Sequence, residues 1–359
     1  MNGSVEVAEG ISFFEGRFRH NLSLNPIFSN AYFLEDGDEA LIYDPACGKE
    51  IGNRLAAHIR ERHGAGAKWK KAFIVAGHSH FDHAGNLYLG DLMGAEETRI
   101  LLHEKGFEDG KVLNHPTVVL RKQVEQAREY YNPYISFFGP FRLLTAPFVA
   151  LDAVAPKWTL SVFERIATIH APAPINGRIP PQPLKEDGMQ ELNLGGIEMR
   201  GWRVGKRVIL PTPGHSPCSV SLYWPERKAL FIGDADWIGN PVSMSSSLRG
   251  CISSLESIKT LAASGLLELL LPGHGEVKQG AARIQTHLNF HIQRLKLLRA
   301  EILQAFHSCG EDRRVPKLTG ILVKKSPLFR TLKEAHFPKM VLFLCTIVAV
   351  CLREEGLLS

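Results

Sequence analysis

FIVAGHSHFDHAGN, running from Phe73 to Asn86, is the stretch from which the rest of the chain can be read. Phe73 to Ala76 is a short apolar run closed by Gly77, the pattern of a buried strand and its end. Three histidines and an aspartate then fall within six residues: His78, His80, Asp82 and His83. Groups just past a strand sit on a loop held by a rigid scaffold, where binding and catalytic side chains concentrate. Imidazole and carboxylate are the ligands that zinc and its neighbours take. The plainer alternative is a polar turn with surface histidines, but the density of ligand types argues against it. The stretch cannot close a site alone, so other parts of the chain must supply partners.

Working outward, Val5 to Phe14 and Asn30 to Tyr43 read as strands, with Asp36-Gly37 as a hairpin turn inside the second. Asp44-Pro45 follows as a loop. Lys49 to His63 has helical spacing, with Ile51, Leu55, Ala56 and Ile59 on one face. A strand at Lys71 to Ala76, a helix starting within Gly85 to Met93 and a strand at Arg99 to His103 complete a pattern of alternation that means α/β architecture. The alternation then breaks from Glu104 to Glu186. Thr117 to Tyr131 reads as a helix behind Pro116. The aromatics Tyr130, Tyr131, Tyr134, Phe137, Phe138 and Phe141 cluster next, and proline-rich Ala171 to Pro183 reads as a semi-rigid connector. This segment, 104–186, is read as an insertion: either a lid that shapes an apolar substrate pocket or a helical packing element.

Alternation resumes at Met189. Strands are expected at Ile197 to Val204, Arg207 to Leu210, Ser219 to Trp224, Ala229 to Ile232 and Leu266 to Leu271, with helices at Leu255 to Ala263 and Gln279 to His307. Three of these later stretches repeat the opening logic of an apolar strand running through glycine to a ligand. One ends at His215, one at Asp234 and one at His274. Strand ends converging on one sheet edge would join them to the first cluster, making five histidines and two aspartates. His58, His63, His103, His115 and His170 have no such context and are read as structural.

HSHFDH, TPGHS, IGDAD and LPGHGE stand in the order and context of the metallo-β-lactamase fold superfamily, which the chain resembles from Val5 to about His307. HxHxDH followed by AGN is most similar to the glyoxalase II-like hydrolases and related esterases and lactonases. The resemblance implies an α/β fold in the form of a four-layered αββα sandwich with a dinuclear site at one sheet edge. It implies that His78, His80 and His215 hold one metal, that Asp82, His83 and His274 hold the second, and that Asp234 bridges them. Zinc is the default by ligand type, and iron or manganese is chemically acceptable. The implied activity is hydrolysis of a small acyl ester, thioester or lactone by a hydroxide shared between the metals, with Asp82 also passing a proton to the leaving group.

The departures from the family pattern are informative. Cys218 stands where many members have glycine and is read as a packed small residue. Trp237 stands where lactonases carry tyrosine, which argues against a homoserine-lactone specialist. The arginine and lysine residues that bind glutathione in glyoxalase II are not recognisable. The competing activity on this fold is a metal-dependent phosphodiesterase or nuclease. Its insertion in the β-CASP branch lies after the bridging aspartate, whereas here it lies before the third histidine.

The remaining features set limits. A net charge of +5 over 359 residues gives no concentrated basic run and no clear nucleic-acid partner, so a small-molecule substrate is expected. Six scattered cysteines without a CxxC pair suggest reduced thiols and a cytoplasmic setting, and the N-terminus does not read as a signal peptide. Met340 to Leu352 is the most apolar stretch, but its 13 residues fall short of the roughly 20 a membrane span needs, and it reads as a buried helix. The domains expected are a catalytic unit at 1–307 and a helical C-terminal extension at 308–359, the latter similar to the winged-helix segment appended to some of these hydrolases.

Overall fold

A computed structural model describes residues 4–16, 29–132, 150–168, 174–335 and 341–358. Of the aromatic cluster and the structural histidines, Tyr134, Phe137, Phe138, Phe141 and His170 lie outside the described residues.

Two seven-stranded sheets carry the fold. The first runs β1 (Val5–Ala8), β2 (Ile11–Phe14), β3 (Ala31–Asp36), β4 (Glu39–Tyr43), β5 (Lys71–Val75), β6 (Glu97–His103) and β9 (Pro181–Leu184) in spatial order. A minor hairpin, β7 (Phe107–Glu108) and β8 (Lys111–Val112), stands apart. The second sheet runs β10 (Gln190–Leu194), β11 (Ile197–Val204), β12 (Arg207–Pro211), β13 (Val220–Trp224), β14 (Ala229–Gly233), β15 (Leu269–Pro272) and β16 (Lys278–Gln279). The stretch read as one strand from Val5 is two, turned at Gly10, where the backbone is left-handed at φ 75°. The expected hairpin turns at Gly37, also left-handed at φ 62°.

The helices flank these sheets. They are α1 (Lys49–Gly64), the short α2 (Phe81–Ala84), α3 (Pro116–Ala127), α4 (Pro156–Thr168), α5 (Leu248–Ala263), α6 (Ala281–Ser308), α7 (Val315–Lys325), α8 (Pro327–Ala335) and α9 (Val341–Glu354). The region expected to begin a helix after Gly85 instead forms a 3-10 turn at Leu87–Leu92. One core cluster mixes side chains of both sheets, among them Tyr43, Phe73 and Val75 with Ile209, Leu222 and Phe231. A second packs α1, through Ile51, Leu55 and Ile59, on the other face of the first sheet. The third joins β14 and β15 to α5, α6 and the C-terminal helices. β14 is buried along its whole length, which is why it reads as an unbroken apolar run rather than an alternating one; β4 and β13 are equally buried although they carry Glu39 and Ser221.

Among the described residues the chain beyond Ser308 is helical, with no strand that could serve as a wing. The apolar stretch forms α9, with Ile347 to Leu352 at most 1% exposed. Among the described residues no helix is long and apolar enough to cross a membrane.

Parallel pairing decides where the ligands go. β4, β5, β6 and β9 run parallel, as do β14 and β15. Parallel strands deliver their C-terminal ends to one edge, the usual place for ligands in such sheets. The loops leaving β5, β14 and β15 carry His78, Asp234 and His274.

Candidate metal centre

The structure brings all seven expected residues together. His78, His80 and His215 form one group, and Asp82, His83, Asp234 and His274 form another; within each group the ligand atoms all lie within 4.8 Å of one another. His80 Nδ1 is 2.9 Å from His78 Nε2 and 3.0 Å from His215 Nε2. His274 Nε2 is 3.4 Å from Asp82 Oδ2, and His83 Nε2 is 3.7 Å from it. Asp234 faces both groups. Its Oδ1 is 3.2 Å from His83 Nε2 and 3.4 Å from His274 Nε2, while its Oδ2 is 3.5 Å from His215 Nε2.

Local backbone places these side chains. Gly77 ends β5, and its amide donates to Asp44 Oδ1 at 2.6 Å. A side chain there would meet Tyr43 Oη at 2.6 Å, so only glycine lets the loop turn this tightly. His78, Ser79 and His80 then lead into α2, whose single turn sets Asp82 and His83 side by side. At the end of β15 a Cβ on Gly273 would sit 2.6 Å from Asp234 Oδ1 and 2.7 Å from His83 Cε1. That glycine leaves the space the ligands converge on.

A second tier of residues orients the imidazoles. Asp44 Oδ2 is 2.8 Å from His83 Nδ1 and accepts a hydrogen bond from its N–H, leaving Nε2 to face the cluster. Asn240 Nδ2 donates to the carbonyls of Asp234 at 2.8 Å and Ala235 at 3.3 Å. Its Oδ1 is therefore the atom that accepts from His215 Nδ1, at 2.7 Å, and this leaves His215 Nε2 free. Neither Asp44 nor Asn240 was among the residues read from the sequence as candidates. Asp44 carries the same signal as the ligands, an acid at the end of the apolar strand β4, but Asp-Pro reads as a turn. Asn240 carries no such signal.

Burial and charge divide the cluster. Burial pushes His78 well below its ordinary value. Burial and the neighbouring His215 push His80 down to about 3. His215 is lowered by burial as well. These three rings are neutral, the form that ligates a metal. Burial would also lower His83 and His274, but it is outweighed by carboxylates: Asp234 and Asp44 hold His83 well above its ordinary value, and Asp234 and Asp82 lift His274 to about 9. Burial likewise raises Asp234 and Asp82, and the histidine neighbours outweigh it, holding both carboxyls below their ordinary range.

The residues fit a metal on a structural ground as well. His83 Nε2 and Asp234 Oδ1 are buried, and neither finds a hydrogen-bond partner of good geometry among the described residues. Buried polar atoms are normally satisfied, so an atom left over that faces other ligand atoms marks a place for a cation. The cluster opens to solvent on the side of Asp82 and His274, whose side chains are 14% and 10% exposed. The indole of Trp237 borders it, 5.9 Å from the His215 ring and 6.3 Å from that of His274.

Of the residues set aside as structural, the described ones have structural partners. His58 packs between Phe14 and Phe33. His63 bonds the Met93 carbonyl. His103 accepts from the Lys105 amide, and His115 caps α3. Cys218 is buried beside Ser79 and Ser216.

A family described as the metallo-beta-lactamase superfamily matches residues 24–92 and 149–274. The match thus spans every ligand of the cluster and breaks across 93–148. Acyl-coenzyme A thioesterase MBLAC2 of Bos taurus is 24% identical over 212 residues, covering 58% of this chain and 57% of that protein. Its Homo sapiens counterpart is 26% identical over 204 residues, covering 56% of this chain and 54% of that protein. The chain therefore matches little more than half the length of these relatives. Among solved structures, a metallo-beta-lactamase family protein of Thermus thermophilus aligns over 98% of this chain and 95% of its own, with TM-score 0.52 and 20% identity. The stereoselective inverting sec-alkylsulfatase Pisa1 of Pseudomonas sp. aligns over 99% of this chain and 50% of its own, with TM-score 0.55 and 14% identity. At these identities the structural likeness speaks for the fold alone.

Proposed function

The chain belongs to the metallo-beta-lactamase superfamily, and from that premise we propose that it is a dinuclear metal-dependent hydrolase of a small acyl substrate, a thioester before an ester or lactone. The observation that carries the reading is Asp234, whose two carboxylate oxygens face two separate groups of ligands. The preference for a thioester is supported by the two acyl-coenzyme A thioesterases among the relatives.

His78, His80 and His215 would hold one ion, Asp82, His83 and His274 the other, and Asp234 both. Bound there, two zinc-class ions would supply an acidified water and a Lewis acid for the carbonyl oxygen under attack. The chain's own groups do the rest. Burial keeps His78, His80 and His215 neutral, so they bind without first giving up a proton. Asp44 and Asn240 fix which nitrogen of His83 and His215 faces inward. Asp82 stands at the open side and, being ionised, is placed to take the proton released by the attacking water and pass it to the leaving group. A thiol leaving group, with an ordinary pKa near 8.5, asks less of that proton than an alcohol does. Trp237 offers an apolar wall beside the two imidazoles, suited to an acyl chain.

The reading is tested by offering zinc-loaded protein a panel of acyl-coenzyme A thioesters, p-nitrophenyl esters, lactones and a phosphodiester. Turnover of a thioester or ester that falls at least about 100-fold in His78→Ala is expected, the scale of losing one transition-state stabiliser. Turnover of the phosphodiester alone, or acyl turnover unchanged in His78→Ala, would overturn it.

A further inference from the structure

We propose that Asp236, His287 and His291 form a third divalent-cation site, of zinc type, which clamps α6 to the loop that carries Asp234. The site shares no residue with the seven-ligand cluster and does not rest on the reading of that cluster.

The sequence sets up the pairing. His287 and His291 are four residues apart on α6, so they lie on one face of the helix, one turn apart. Asp236 comes two residues after Asp234 in the loop that follows β14. The fold brings the three into one place, with one ligand atom from each lying within 4.8 Å of the others. His287 Nε2 is 2.7 Å from Asp236 Oδ2, and the two imidazole rings are 4.5 Å apart. Asp236 is 8% exposed and His291 6% exposed.

A hydrogen bond between His287 and Asp236 accounts for two of the three residues. It does not account for His291. The Nδ1 of that ring is buried and finds no hydrogen-bond partner among the described residues. A buried polar atom without a hydrogen-bond partner also occurs at His83 and at Asp234 in the main cluster. A cation shared with Asp236 and His287 would engage His291.

Two positive side chains lie nearby and would oppose a cation, so the Asp236 carboxylate has to outweigh them; each also has polar partners of its own. The Arg294 guanidinium donates to the carbonyls of Ile238 and Trp237. Lys278 pairs with Glu276 at 3.6 Å. Two imidazoles and one carboxylate give three protein ligands, and zinc's preferred four-coordination leaves one position for water. Because Asp236 shares its loop with Asp234, a cation here would brace the residue that faces both halves of the main cluster.

Zinc counting on the full chain tests this. Wild type, His287→Ala and His287→Gln are loaded with Zn2+ alone, freed of excess metal and measured for zinc per chain. Circular dichroism confirms that each variant is folded. His287 is partly exposed on a helix face, and glutamine keeps both the helix and a hydrogen-bond donor, so His287→Gln carries the test if His287→Ala does not fold. The expected result is one zinc fewer per chain in the folded variants than in wild type. Equal zinc content in wild type and variants would overturn the site and leave His287–Asp236 a plain hydrogen bond.

Discussion

Asp44 shows how much of the seven-residue cluster is shaped by a residue outside it. Its two carboxylate oxygens are both spent, one on the Gly77 amide and one on His83 Nδ1. It thereby fixes the turn out of β5 and the tautomer of His83 together. Asp44→Asn keeps the shape but offers a neutral amide in place of the carboxylate that His83 leans on. Losing such an orienting partner typically costs about 10–100-fold in metal affinity. Zinc affinity measured against a chromophoric chelator should fall by that factor, and an unchanged affinity would refute the orienting role. The clustering of the seven residues was legible because histidine and aspartate at glycine-marked strand ends are rare. Asp44 and Asn240 were not, because the direction in which a loop side chain points is set by packing, not by its neighbours in sequence. His287 and His291 escaped for another reason. On a long amphipathic helix an imidazole at the apolar face looks like any core residue until a distant loop is brought beside it.

At the scale of elements, α1 shows local spacing and tertiary packing in agreement. Its apolar face was readable, and His58 joins it by packing between Phe14 of β2 and Phe33 of β3. Burial disfavours the charged ring, so His58 titrates below the ordinary value of about 6.5. The unfolded chain then takes up a proton in a range where the folded chain does not. The neutral ring's contribution is present above that ordinary value and fades as the pH falls toward the folded value. His58→Phe should lose less melting temperature than wild type between about pH 7 and about pH 5. Equal losses in the two proteins would contradict this. Other elements were hidden by their composition. Pro181–Leu184, read as part of a connector, is β9, which pairs parallel to β6. Two prolines in four residues argue against a central strand, but β9 lies at the edge of its sheet, where missing amide donors are tolerated. β10 was hidden because its polar residues face solvent and leave only Leu192 and Leu194 inside. α5 begins at Leu248, earlier than its apolar spacing suggested, because Ser247 caps it by accepting from the Gly250 amide.

For the whole molecule, the decisive fact is that the cluster is divided between two sheets. The first supplies Asp44 and His78 to His83; the second supplies His215, Asp234 and His274. Hydrogen bonds sew the two together at the site: the Val220 amide to the Gly77 carbonyl at 2.7 Å, Tyr43 Oη to the Val220 carbonyl at 2.9 Å, and Asn30 Nδ2 to the Pro272 and Gly275 carbonyls. Membership of an α/β fold was legible from alternation, and the set of residues that cluster from its motifs. The closure of two sheets over a shared core was implied only by resemblance, since no local pattern encodes it. A cation bound across such a joint should stabilise the whole fold, by about 2.7 kcal/mol at a free concentration one hundred times its dissociation constant. Stripping zinc with a chelator should therefore lower the melting temperature by several degrees, and restoring zinc should recover it. A melting temperature indifferent to both would mean that no ion joins the halves.

The central claim is that one dinuclear centre lies astride Asp234. Anomalous diffraction from zinc-loaded crystals, recorded on both sides of the zinc edge, tests it most directly. The account predicts two zinc peaks flanking the Asp234 carboxylate. One would lie about 2.0–2.1 Å from nitrogens of His78, His80 and His215, and the other at similar distances from His83 and His274, with Asp82 in reach. A single peak, or no peak within reach of Asp234, would contradict it.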